Sequence, residues 1–274
     1  MGRRSRILGD GGGRSLAIAA VSTAVFVTAT ALVVVNSPGW PEVKRAFFDP
    51  DRFTGSFPDL ARAFLLNVRI FLIAEAIILV TALVIAVMRS LPGPVFFPLR
   101  ALGVVYADFF RGVPTILVIY LFGFGVPALG IAGIPRSPLV WAVVALVLVY
   151  TAYVSEVYRA GIESVHPSQE AAARSLGLTR FQALRFVVLP QAVRRVVPPL
   201  PNDFIGLQKD TALVALIGPV EAFRQSQIKV AATFNFTPYL ATALLFILLT
   251  IPLARLTDWL VARDRRRQLA GRSP

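Results

Sequence analysis

Few side chains here can do chemistry, and most of those are charged residues inside apolar stretches: Glu75, Glu156, Asp203, Lys209 and Asp210. Each costs about 2.5–3.5 kcal/mol at the centre of a membrane helix on insertion scales, so such residues normally face a bundle interior and some line a substrate path. Lys209 and Asp210 either pair with each other or a neighbouring helix, or they line a path with Asn202, Asp203 and Thr211. Arg111 can hold a substrate carboxylate through two parallel N–H donors; equally, it can lie near the inner interface and extend its head to water. Glu156 and Arg159, one helical turn apart, read better as a brace at the inner interface. No nucleophile–base pair or grouped carboxylates of the kind an enzyme needs stand out. There is no Cys and a single His, His166, which excludes disulfides, thiolate catalysis, Cys-ligated metals and any multi-histidine metal site. No Gly-x-x-x-x-Gly-Lys-Ser/Thr loop is present, so the chain cannot hydrolyse ATP by that route.

The elements that must hold these residues are membrane helices. Of 274 residues, 56% are hydrophobic and 16% charged, with mean hydropathy +0.69. About 25% is usual for the charged share of a soluble domain. A helix of about 20 apolar residues crosses a bilayer, and such stretches fall at residues 16–35, 61–88, from 102 through 127, 139–158, from 196 onward, and 238–261. The stretch after residue 196 is interrupted by Pro198, Pro199, Pro201, Gly206 and Gly218. The fold class expected is an all-α integral membrane protein with about six transmembrane helices. Residues 1–14 read as a cytoplasmic tail, 15–36 as a first helix, 37–58 as an external loop, 59–262 as a five-helix core and 263–274 as a basic cytoplasmic tail. The run at 15–36 exceeds a signal-peptide core of about 7–15 residues and has no small-residue cleavage site, so it reads as uncleaved.

The net charge of +13 is not spread as a nucleic-acid surface would be. Arg3, Arg4, Arg6 and Arg14 precede the first apolar run, Arg263, Arg265, Arg266, Arg267 and Arg272 follow the last, and Arg174, Arg180, Arg185, Arg194 and Arg195 share one central polar segment. That alternation is the positive-inside pattern, which puts both termini and the central segment in the cytoplasm. Nucleic acid is not an expected partner; membrane lipid is.

The central segment, residues 163–195, reads as two short helices. Pro167 or Ser168 opens the first, Gln169 and Glu170 occupy its first turn where negative charge suits the helix dipole, and Arg174 falls near its end. Gly177 can take the left-handed conformation that closes it. Thr179 with Gln182 has capping-box spacing, and Pro190 should bend or end the second helix. The small residues Ala171, Ala172 and Ala173 permit close approach of a partner surface. A plain solvated loop is the alternative on pattern alone.

This segment resembles the EAA loop of permease subunits of binding-protein-dependent ATP-binding-cassette importers. Ala171–Ala173 take the place of Glu-Ala-Ala, Gly177 that of the glycine, and Val187-Val188-Leu189-Pro190 that of Ile-x-Leu-Pro, with every spacing matched. Ala171 stands at the usual glutamate position, with Glu170 one residue earlier. Phe110-Arg111-Gly112-Val113-Pro114 is similar to the FRGTP motif of the polar amino-acid branch. Tyr153-x-x-Glu156-x-x-Arg159-Ala160-Gly161-Ile162 and Lys209-Asp210-Thr211 also resemble that branch. The resemblance covers residues 60–262 and makes the helix at 15–36 an extension. It implies a type I importer fold, an amino-acid importer subunit, and a coupling helix that inserts into a cytosolic ATPase. It also implies an ATPase dimer that binds the ATP and Mg, a second permease (identical or different), an extracytoplasmic solute-binding protein and location in the bacterial plasma (inner) membrane. This chain itself is then expected to bind no cofactor. An ion-coupled secondary transporter is the alternative, since broken helices and buried charges occur there too.

Overall fold

The computed structural model describes residues 12–197 and 199–270, and every regular element among them is a helix. Residues 1–11, Pro198 and residues 271–274 lie outside the described residues. With them go most of the expected N-terminal tail, the end of the basic C-terminal tail and the expectation placed on Pro198.

Helix α1 (Gly12–Val35) is apolar and exposed along its whole spanning stretch. Helix α2 (Trp40–Phe47) leads to α3 (Pro50–Ser90), which at 41 residues is about 60 Å long at 1.5 Å per residue. The external loop expected at 37–58 is therefore largely helical. Its prolines start helices instead of preventing them: Pro41 and Pro50 sit in first turns, where no amide donor is needed. Asp49 caps α3 by accepting from the amides of Asp51 and Arg52, both at 3.0 Å.

Helix α4 (Phe97–Gly112) and α5 (Thr115–Tyr120) follow. A π turn, Leu121–Gly125, then joins α5 to the short α6 (Val126–Ala128). The chain bends by 102° between the stretches Pro94–Gly112 and Thr115–Ala128, so the expected third span is not straight. Val113 is extended there because the following Pro114 disfavours a helical residue before it. Helix α7 (Pro138–Glu163) is the hub, touching α3, α4, α5, α10 and α11. Leu146, Val149, Ile78, Ile119, Leu207 and Val214 form the buried centre around it.

Beyond α7 come α8 (Pro167–Ser175), α9 (Arg180–Ala183), a π turn at Leu184–Val188 and α10 (Leu189–Val196). Pro190 does not end the helix; the chain stays helical through it, and the proline sits in the first turn of α10. A wider turn just before a proline gives the ring room where an α-turn carbonyl would clash. The same device precedes Pro127. Helix α11 (Leu200–Asp210), a 3₁₀ stretch Thr211–Ile217, α12 (Ala222–Thr233) and α13 (Thr237–Ala270) complete the chain. α13 carries the basic segment onward as helix to residue 270.

Among the described residues four segments are long and apolar enough to cross a membrane, Ser15–Val35, Trp40–Ser90, Pro138–Glu163 and Thr237–Arg263, and a fifth if the bent pair is one span. The fifth expected span, after residue 196, is divided into α11 and the 3₁₀ stretch, neither of which reaches that length. Left-handed Gly218 (φ 111°) ends the 3₁₀ stretch, and prolines at 199 and 201 bound the start of α11.

Candidate functional site

The helix pair of the central segment is built largely as its residues dictate. His166 Nδ1 accepts from the Ser168 amide at 3.2 Å and so caps α8, with Pro167 in the first turn. At the other end, Gly177 adopts φ 87°, its amide donates to Arg174 O at 3.0 Å, and the Leu178 amide reaches Ala173 O at 3.3 Å. Those two bonds are the Schellman closure, which satisfies carbonyls a helix end leaves free. Thr179 and Gln182 exchange backbone and side-chain bonds at 2.8 and 3.3 Å, completing a capping box.

Ala173 is buried, while Ala171, Ala172 and Arg174 are exposed. Leu176, at the tip, is 84% exposed and was not singled out by its sequence context. Glu170 pairs with Arg180 at 3.3 Å across the two helices, and Gln191 donates to Gln169 at 3.3 Å. Val165, Val188 and Ala192 make a small separate core beneath them. A cleft of about 410 Å³ separates this pair from the end of α3, lined by Leu91, Val165, Glu170, Arg180 and Leu184 among others. Gly161 lets α10 lie against α7: a Cβ there would overlap the Val196 side chain and reach Ala192 O at 3.2 Å.

Glu156 anchors the junction between this loop and the bundle. Arg89, from the last turn of α3, pairs with its Oε1, and Arg159 meets its Oε2 at 2.8 Å. Arg159 also bonds Glu163 at 2.5 Å. Arg111, expected on a substrate path or at the interface, is 3.8 Å from Glu156 and joins this cluster. Arg89 was missed because its partner lies far away in sequence.

The remaining path residues lie on α11 and just after it. Asn202 and Lys209 are exposed and Asp203 and Asp210 half-buried. Among the described residues Lys209 and Asp210 form no ion pair; Asp210 instead accepts from the Tyr150 hydroxyl at 2.9 Å. Tyr150 in turn packs on Gly206, where a Cβ would meet its hydroxyl at 3.0 Å. Thr211 is fully buried and accepts from Asn67 Nδ2 at 3.1 Å, so in this conformation it is part of a structural knot. That knot centres on Glu221, also fully buried, which caps α12 by accepting from the amides of Phe223 and Arg224 (2.9 and 2.8 Å) and from Asn67 (2.8 Å). Asn67 Oδ1 accepts the Ala222 amide at 3.1 Å. Burial pushes the Glu221 carboxyl above the ordinary value, opposed by those three donors. Asn67 and Glu221 carried no sequence signal, since each is a single polar residue whose partner lies on a distant element.

Residues 93–266 match the family described as binding-protein-dependent transport system inner membrane component. The chain belongs to that family. It is a multi-pass membrane permease subunit of an ATP-binding-cassette importer. The probable amino-acid permease protein YxeN of Bacillus subtilis is 35% identical over 204 residues, 74% of this chain and 90% of that one. The probable glutamine ABC transporter permease protein GlnM of the same species is 36% identical over 185 residues, 67% of this chain and 83% of that one. Among solved structures, the crystal structure of an amino acid ABC transporter with histidines superposes with TM-score 0.67 and 31% identity, covering 75% of this permease and 94% of that chain. An inward-facing MetNI methionine ABC transporter gives TM-score 0.62 at 19% identity, a likeness of fold alone.

Proposed function

We propose that this permease carries amino acids, and that its α8–α9 pair docks on a cytosolic ATPase dimer that binds and hydrolyses ATP with Mg. The observation that carries the docking is the exposed tip at Ala171, Ala172 and Leu176, held rigid by a Schellman closure and a capping box. The small Ala171 and Ala172 side chains permit close approach of a partner surface, and the helix pair also presents Leu176 and Phe181 to water. A solute-binding protein delivers the substrate outside, a second permease completes the pore, and both termini lie in the cytoplasm of a bacterial inner membrane. ATP-driven closure of the ATPases pulls the helix pair, and α10 with the Glu156 cluster passes the movement to α7, α3 and α4. Asn202, Asp203, Lys209 and Asp210 remain the candidate path. Arg111 is better read as part of the brace, given its position beside Glu156. An ion-coupled transporter has no use for such a loop.

A Cys introduced at Ala172, in a chain with no other Cys, tests the docking. Joined to a short cross-linker in the purified complex, it should couple to the ATPase, with a yield that changes when ATP is added. Cross-linking to no protein, or only to another permease, would remove the docking assignment.

A further inference from the structure

At the loop end of the bundle, the last turn of α3, the face of α4 and the end of α7 enclose a second cleft, of about 530 Å³. Arg89, Arg100 and Arg159 line it together with Glu163, over a floor that includes Ala101, Val104 and Val105. The charges there do not balance. Arg89, Arg111 and Arg159 share Glu156 and Glu163, and Arg100 has no carboxylate partner among the described residues. Arg100 Nη1 is instead held by Leu91 O and Gly93 O at 2.7 and 2.9 Å, leaving its other donors free. Asp108, farther along α4, does not line the cleft.

A second observation concerns Arg89, which lines the same cleft. The Arg89 side chain is only 9% exposed, yet its Nε is a buried donor with no partner. Gly103 of α4 makes room for it, since a Cβ there would stand 2.7 Å from Arg89 Cγ. A buried guanidinium donor without an acceptor is costly, and Arg89 and Arg159 stand near the ends of two apolar stretches long enough to cross a membrane, Trp40–Ser90 and Pro138–Glu163. The surface that continues from it along α4 is apolar and exposed, with Leu102 at 62% and Val105 at 65%.

We propose that this cleft seats the head-group phosphate of an anionic phospholipid, with Arg89, Arg100 and Arg159 as donors and the acyl chains along Val104 and Val105. Basic pockets between membrane helices are suited to such head groups. Because Arg89 and Arg159 also hold Glu156, the bound lipid touches the brace of the coupling loop.

Native mass spectrometry of the purified complex, with phosphatidylglycerol or phosphatidylcholine of matched chains added, tests this. Wild type should retain phosphatidylglycerol preferentially, and inorganic phosphate should not displace it. Arg100→Gln should weaken that retention about fivefold, the worth of one basic residue near an anionic surface. Ala101→Glu, which places a carboxylate in the cleft, should weaken it at least as much. Both variants should keep the wild-type melting temperature in phosphatidylcholine discs. Equal retention of the two lipids, variants that bind like wild type, or displacement by inorganic phosphate would each overturn the proposal. So would protection of a Val105→Cys thiol from a lipid-soluble maleimide that persists after bound lipid is stripped from the assembled complex, because protein would then cover the cleft.

Discussion

At Gly177 nothing lies within 4 Å of where a Cβ would be, so a side chain there costs conformation and not space. Its φ of 87° is disfavoured for a β-branched residue by about 1 kcal/mol or more. Gly177→Val should therefore reach the membrane in normal amounts but lose ATP-driven transport, with Gly177→Asn retaining more, because Asn tolerates the left-handed region. Full transport by the valine variant would contradict the role given to this turn. Asn67 poses the opposite case, a residue whose worth is wholly in its partners. Asn67→Ala leaves the buried Ala222 amide without its acceptor, at about 1–3 kcal/mol, and removes one of the three donors to Glu221 and the Asn67 bond to Thr211. Its melting temperature in detergent should fall by several degrees, with Asn67→Asp, which sets a carboxylate against Glu221, falling further. An unchanged melting temperature for both would mean the knot contributes nothing.

Between elements, close approach is decided by single glycines. Gly161→Leu should push α10 off α7, since even a Cβ there overlaps Val196, at a cost of about 1–3 kcal/mol for overpacking. The expected result is faster proteolysis within residues 163–195 and weaker capture of the ATPase, while α3, α7 and α13 still insert. Capture equal to wild type would show that α10 does not need this contact to hold the loop. The caps of α8 and α9 were legible in sequence because Gly177, Thr179 and Gln182 act within a turn of themselves. Pro41 and Pro50 misled for a related reason: a proline that opens a helix and one that breaks it differ only in whether the chain on their N-terminal side is already helical. The π turns before Pro127 and Pro190 had no local signature, and neither did the bend at Val113, where only the residue before Pro114 hinted at a break.

For the whole molecule, the all-helical membrane class follows from composition, and the Glu156 cluster follows from packing that brings Arg89, Arg111 and Arg159 to one carboxylate. Sequence alone located Glu156 and Arg159 as a brace but split Arg111 from them, because distance along the chain conceals that α3, α4 and α7 converge at this end. The span expected after residue 196 is divided into α11 and the 3₁₀ stretch, the interruption that Pro199, Pro201 and Gly218 mark in the sequence. We propose that the substrate passes by that broken path, beside exposed Lys209 and half-buried Asp203 and Asp210, because irregular backbone at membrane depth is tolerated only within protein or beside a watery cavity. The most direct test reconstitutes the complex captured through this chain into proteoliposomes and measures uptake of single labelled amino acids with a matched solute-binding protein. Uptake should require ATP and Mg on the ATPase side, persist when proton and sodium gradients are collapsed, and change its amino-acid preference in Asp210→Asn. Uptake that runs on an ion gradient without nucleotide would contradict the account.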